Sequence, residues 1–259
     1  MERGRRARHR RRAVVAGSTL AVLALATAGV ATVARPGPAS HGTVASSPQL
    51  KLASAFATST DISYRVRLTT GAAGGGGDLT YEGAFDPTTD TGYVEVTLDD
   101  SVQTELLVDG TRYTGGERLP GPLPSDKQGP GETYGRYGQY PGTHDRLSLY
   151  AEPGSVLGAA TPDPAALYAF LQTANATVTE NSDGTLHFTL ETRHADGSNS
   201  TSGDVTLDAD GRIGKVTITD TWRTTLKGNA SGTSVSTLVL FDYGVEATVE
   251  RPTDVVPAT

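Results

Sequence analysis

From Asp204 to Pro252 the sequence alternates apolar and polar residues around turn signals, and this pattern restricts the fold more than any other stretch. Val205 and Leu207 alternate with Thr206 and Asp208; past Asp210-Gly211, Val216 and Ile218 alternate with Thr217 and Thr219. A period of two with an Asp-Gly pair between the runs predicts a β-hairpin with one greasy face. Leu238-Val239-Leu240-Phe241 is apolar at every position, which predicts a strand buried on both sides. A sheet of this kind must lay its apolar face against something.

The same period recurs upstream. Ile62, Tyr64, Val66 and Leu68 alternate with polar residues, as do Leu79, Tyr81 and Phe85, then Val94, Val96 and Leu98, and later Leu186, Phe188 and Leu190. A second Asp-Gly pair, Asp109-Gly110, divides Glu105 to Tyr113 into another hairpin. Two helices interrupt the strands. Ser47-Pro48 is an N-cap followed by proline at the first helical position, predicting a helix to about Thr58 with Leu50, Ala53, Phe56 and Ala57 on one side. Asp163-Pro164 opens the second by the same logic, with Leu167, Phe170 and Leu171 on one side to about Ala174. The expected class is α+β: a broad antiparallel sheet with helices on one face.

The N-terminus sets the address. Seven arginines lie between Arg3 and Arg12, followed by Ala13 to Ala34 without a charge. Twenty-two such residues are long enough, at about 1.5 Å each, to cross a bilayer as a helix. The arginines hold their end in the cytoplasm, so the chain beyond Arg35 is delivered outside. Two outcomes stay open: a retained anchor, or cleavage near Ala26-Thr27-Ala28 and secretion. The expected organisation is a cytoplasmic basic segment (1–12), a membrane segment (13–34), a linker rich in Pro, Gly and Ser (35–47), the extracytoplasmic domain (48–252) and a tail (253–259).

Charge excludes one class of partner. Residues 1–35 hold eight of the 22 Lys and Arg but only Glu2 of the 29 Asp and Glu, leaving 14 basic against 28 acidic residues, a net of −14, in the rest. A body this acidic lacks the basic stripe that nucleic acid requires.

Chemistry-bearing motifs are missing. There is no cysteine, so disulfides, thiolate metal sites and a cysteine nucleophile are all excluded. No G-x-S-x-G elbow and no H-E-x-x-H spacing occurs, and His187 and His194 have opposite parity on their strand. Asp208, Asp210 and Gly211 look like the start of a calcium loop but lack its closing glutamate, and a hairpin turn accounts for them. Gly71 to Gly77 lacks the lysine of a phosphate loop and precedes a strand. No enzymatic activity, metal or cofactor is expected. Leu119 to Gly142, rich in Pro and Gly and interleaved with Tyr134, Tyr137 and Tyr140, is too long for an ordinary connection and reads either as a lid or partner loop or as an insertion without structure.

The order of these elements carries a family resemblance. A leading helix, a meander with the turn GAFDPTTDTG, an ELLVDGTRY hairpin, a helix opened by Asp-Pro, then DVTLDADGRI and the closing FDYGVEATVERP together resemble the LolA-like envelope carrier superfamily, within it the exported lipoproteins of the LppX/LprAFG kind. The resemblance covers about Pro48 to Pro252, and Asp208 to Arg212 and Tyr243-Gly244-Val245 are its best pieces. It implies a curved half-barrel sheet with helices packed on its concave face and an acyl chain held between them. The implied lining is Phe56, Tyr64, Val66, Tyr81, Phe85 and Val96 on one half, with Phe170, Leu171, Phe188, Val216, Ile218 and Trp222 on the other. The same side chains serve equally well as an ordinary core. Such relatives are lipid-anchored through a cysteine that this chain lacks, so Ala13–Ala34 would have to do the anchoring. The expectation is therefore a membrane-tethered binding protein for lipid or an acylated protein. The alternative is an extracytoplasmic sensor or interaction module that meets an envelope partner through its tyrosine loop.

Overall fold

The structure is a computed structural model and describes residues 47–73, 78–121, 134–148, 164–225 and 229–258. The basic segment, the membrane segment and the linker to residue 46 lie outside the described residues, as do residues 74–77 of the glycine run. Among the described residues no helix is long and apolar enough to cross a membrane.

Each alternating run becomes a strand. The first six are β1 (Tyr64–Ala72), β2 (Leu79–Asp86), β3 (Thr91–Thr97), β4 (Ser101–Val108), β5 (Thr111–Arg118) and β6 (Tyr137–Gln139). After α2 (Pro164–Thr173) come β7 (Thr177–Glu180), β8 (Leu186–His194), β9 (Gly197–Leu207), β10 (Ile213–Thr224), β11 (Ala230–Phe241) and β12 (Val255–Pro257). All twelve join one large curved sheet in the order β12-β6-β5-β4-β3-β2-β1-β11-β10-β9-β8-β7. It does not close, so β12 and β7 are its edges. Each pair is antiparallel except β12 on β6, which is parallel.

Turn chemistry fixes the register. At Asp109 and Gly110 φ is 50° and 77°, so both central residues of the β4–β5 turn are left-handed, the geometry that Asp-Gly favours. Between β9 and β10, Asp208 Oδ1 accepts the backbone N–H groups of Asp210 (2.9 Å) and Arg212 (2.8 Å), and Gly211 takes φ 77°. The three calcium-like residues thus spend their geometry on a turn.

With this register, inward side chains line up in rows. One runs Leu186, Val205, Val216, Leu238, Leu68, Tyr81 and Val96 across β8, β9, β10, β11, β1, β2 and β3. These belong to one buried cluster that also takes Leu52, Ala55 and Phe56 from α1 (Pro48–Ser59) and Leu167 and Leu171 from α2. Both helices therefore contribute to the same buried cluster as the sheet's apolar rows.

Three expectations need correction. The buried face of α1 is Leu52, Ala55, Phe56 and Ser59, while Leu50 is 53% exposed and Ala57 is exposed. The helix is turned because Ser59 Oγ accepts the N–H of Ile213 at 2.9 Å, drawing that side of its last turn onto β10. Of the run Leu238–Phe241 only Leu238 and Leu240 are buried; Val239 and Phe241 are half-buried on the outer face, where the Arg67 guanidinium lies 5.9 Å above the Phe241 ring. The sheet also takes up Val255–Pro257, beyond Pro252, because β6 offers a strand edge inside the stretch read as loop.

Candidate functional site

The inward face changes character at one step. On β1 to β3 it carries Val66, Tyr81, Val94 and Val96, all buried. The residue opposite Val94 on β4 is Glu105, and the residue opposite Val96 is Gln103. Across β5 the row continues into Thr114 and Gly116, and from Thr114 into Gly138 of β6 and Val256 of β12. Apolar sheet thus gives way to polar sheet between two hydrogen-bonded neighbours. Beyond that border lies a cavity of about 570 Å³, bounded by Gln103, Glu105, Arg112, Thr114, Tyr134, Arg136, Tyr140 and Ser148, with Gly115, Gly116, Gly138 and Val256.

Its floor is a buried ion pair. Glu105 is 0% exposed, and its Oε1 lies 2.8 Å from Nε of Arg112, whose side chain is 17% exposed. That Nε–H is out of line for a hydrogen bond, so this contact is charge against charge. Both carboxylate oxygens accept the Ser148 backbone N–H, at 2.9 and 2.8 Å, and Arg112 Nη2 donates to the carbonyl of Arg146 at 2.8 Å. Leu147, between those two anchor points, is 0% exposed in the core cluster. Residues 143–148 therefore form a strap across the β4–β5 hairpin, begun by His144 N–H on the Gly110 carbonyl at 2.9 Å. Burial, and next the positive charge of Arg112, hold the His144 imidazole below its ordinary pKa.

The three loop tyrosines divide between the two faces. Tyr134 and Tyr140 border the cavity, Tyr134 donating to Asp100 Oδ2 at 3.2 Å and Tyr140 standing 36% exposed. Tyr137 is in β6, opposite Gly115. A Cβ on Gly115 would come within 2.6 Å of the Tyr137 ring, so the glycine makes room for it. Burial, and then Glu117 and Glu95, push the Tyr137 phenol up.

Ten of the twelve residues expected to line a pocket come together in the core cluster: Phe56, Tyr64, Val66, Tyr81, Phe85 and Val96, with Leu171, Phe188, Val216 and Ile218. Trp222 shares their face of β10 but stands outside the cluster, 38% exposed, its indole against Gly232 of β11. The Phe170 side chain lies outside the described residues, as does that of His194. His187 sits beside Asp204, Nδ1 to Oδ1 2.8 Å. Among the described residues no cluster of His, Asp and Glu is arranged to hold a metal ion.

Sequence reasoning missed Glu105 and Arg112. The signal was there: in Gln103-Thr104-Glu105-Leu106-Leu107 the alternation puts a carboxylate at an inward position, where only a paired charge is tolerated.

No protein-family model and no curated protein matches the sequence. Among solved structures, the chain is similar to the LolA superfamily protein NE2245 from Nitrosomonas europaea, at 14% identity and a TM-score of 0.31, over 79% of this chain and 96% of that one. It is also similar to a DUF1329 family protein from Desulfovibrio piger, at 11% identity and a TM-score of 0.24, over 78% and 92%.

Proposed function

We propose that this chain is a non-enzymatic extracytoplasmic binding protein that takes the acyl part of a lipid or acylated protein beneath its sheet, where the helices cover the concave face. Residues 13–34 tether it to the membrane, with the seven arginines on the cytoplasmic side. The observation that carries the reading is the border on the inward face, where Val94 meets Glu105 and Val96 meets Gln103 beside an open cavity. An amphiphile needs both sides of such a border, an apolar surface and a polar one next to it.

The apolar side is closed by its own residues, so an acyl chain enters only as the helices shift. The cover is lightly held at its rim. Lys51 pairs with Glu180 at 2.6 Å across an exposed gap, and such pairs contribute about 0–1 kcal/mol. Each methylene buried returns about 0.8 kcal/mol, so a chain of ordinary length offsets the movement.

Native mass spectrometry of the full-length protein from its own host tests this. A co-purifying mass in the lipid range is expected, together with a rise in Tm on adding host lipid extract to stripped protein. Only the unliganded mass, with no shift in Tm, would overturn the reading.

A further inference from the structure

Past Ile218, the last residue that β10 gives to the buried cluster, the inward face of β9 to β11 carries two rows that the acyl reading does not use. One runs Thr201, Asp220 and Ser234, and the next runs Asn199, Trp222 and Gly232. Trp222 is 38% exposed, and its indole lies on Gly232, where a Cβ would come within 2.7 to 2.9 Å of three ring atoms. The ring thus rests on backbone and is open to water elsewhere. Asp220 is held as well: its Oδ1 accepts the hydroxyl of Thr201 at 2.6 Å, and Thr201 is 2% exposed. Among the described residues, the other oxygen of Asp220, the Asn199 amide and the Ser234 hydroxyl have no hydrogen-bond partner. A supported aromatic face bordered by unengaged donors and acceptors is an amphipathic set one ring wide.

We propose that this platform binds a saccharide, one pyranose ring stacking its C–H face on Trp222 while its hydroxyls reach Asp220, Asn199 and Ser234. Each sugar hydroxyl both donates and accepts, so it serves a carboxylate, an amide and a hydroxyl alike, and the C–H face buries against the indole. Other ligand classes fit less well. A hydrocarbon chain needs an apolar run, and the ring's inward neighbours are Asn199 across to β9 and Asp220 along β10. The Asp220 carboxylate repels an anion. An organic cation would match the indole and Asp220 but leave the Asn199 amide without use. The sugars that fit are those with equatorial substituents, since an axial hydroxyl would lift the ring off the indole. The platform lies on strands other than those around the polar cavity, so it stands or falls apart from the acyl reading.

Trp222 is the only tryptophan of the chain, so its emission reports the site directly. Cellohexaose, chitohexaose and choline chloride are titrated into the full-length protein in a polyoxyethylene detergent, which carries no sugar. At least one hexasaccharide is expected to shift the emission to the blue and to saturate, with an affinity that added sodium chloride leaves unchanged. Calorimetry on variants locates the contact: Trp222→Ala is expected to weaken binding at least about tenfold, Trp222→Phe to keep part of it, and Asp220→Asn to weaken it about fivefold. Trp222 stands outside the buried cluster, so its replacement leaves folding intact, as an unchanged Tm would verify. No binding of either hexasaccharide overturns the proposal, as does binding that Trp222→Ala leaves untouched. Choline binding that salt weakens and Asp220→Asn removes, with neither hexasaccharide bound, overturns it too and makes the platform a cation site. None of these outcomes touches the acyl reading, which the mass spectrometry tests.

Discussion

Gly203 shows how finely the inward face is fitted. It sits between Phe188 and Ile218 in the row across β8 to β10, and a Cβ there would run into the Phe188 ring and come within 2.6 Å of the Thr217 carbonyl. Phe188 is fully buried and has nowhere to go. Gly203→Ala is therefore expected to destabilise the protein by about 1–3 kcal/mol, read as a lower midpoint in urea with an unchanged slope. Gly232 plays the same part for an exposed ring, since its missing side chain leaves the surface on which the indole of Trp222 lies. This is the one tryptophan in the chain. Gly232→Ala should lift it into water, and a red shift in its emission would report that.

At the scale of elements, the strap over the β4–β5 hairpin depends on one buried pair. Glu105→Ala leaves Arg112 without its counter-charge and Ser148 without its acceptor, and a loss of about 3–5 kcal/mol is expected. Replacing both partners, Glu105→Leu with Arg112→Met, should recover most of that loss, since the penalty lies in the orphaned charge. His144 gives the strap a pH dependence. Its folded pKa is depressed below 6.5 by burial and by Arg112, while the Pro141 carbonyl and Asp145 pull the other way. The neutral ring's contribution is therefore complete above pH 6.5 and is lost as pH falls through the lower folded value. Hydrogen exchange of residues 143–148, corrected for its intrinsic pH dependence, should quicken on acidification in the native chain and not in His144→Gln. Strands and turns of this region were legible in the sequence, because a two-residue period and Asp-Gly pairs are local signals. The face of α1 was not: its rotation comes from a hydrogen bond between Ser59 and Ile213, partners far apart in the chain. β6 escaped notice for the same reason, since Tyr137-Gly138-Gln139 has no strand pattern of its own and borrows its conformation from β5. The cavity was out of reach because its lining comes from β4, β5, β6, β12 and the strap, which no periodicity links.

For the molecule as a whole, the sheet is two local meanders joined once. β1 to β6 pair in sequence order, β7 to β11 do likewise, and β1 on β11 is the seam between them. β12 lies outside both, held to β6 by three parallel pairings and by Arg136 on Asp254. Removing residues 253–259 should leave both meanders folded while uncovering the backbone edge of β6, a template for pairing with another chain. Unchanged far-ultraviolet circular dichroism with new concentration-dependent association in sedimentation would bear this out; a monomer at all concentrations would not.

The place of β12 also fixes an order of events during synthesis. Val256 and Asp254, one walling the cavity and the other steadying Arg136, follow Tyr137 by more than a hundred positions. The greasy interior needs Leu238 and Leu240 of β11, so it and the polar chamber are completed close together, long after β6 has been made. Any occupant of the finished chamber must therefore arrive after β12 has been made.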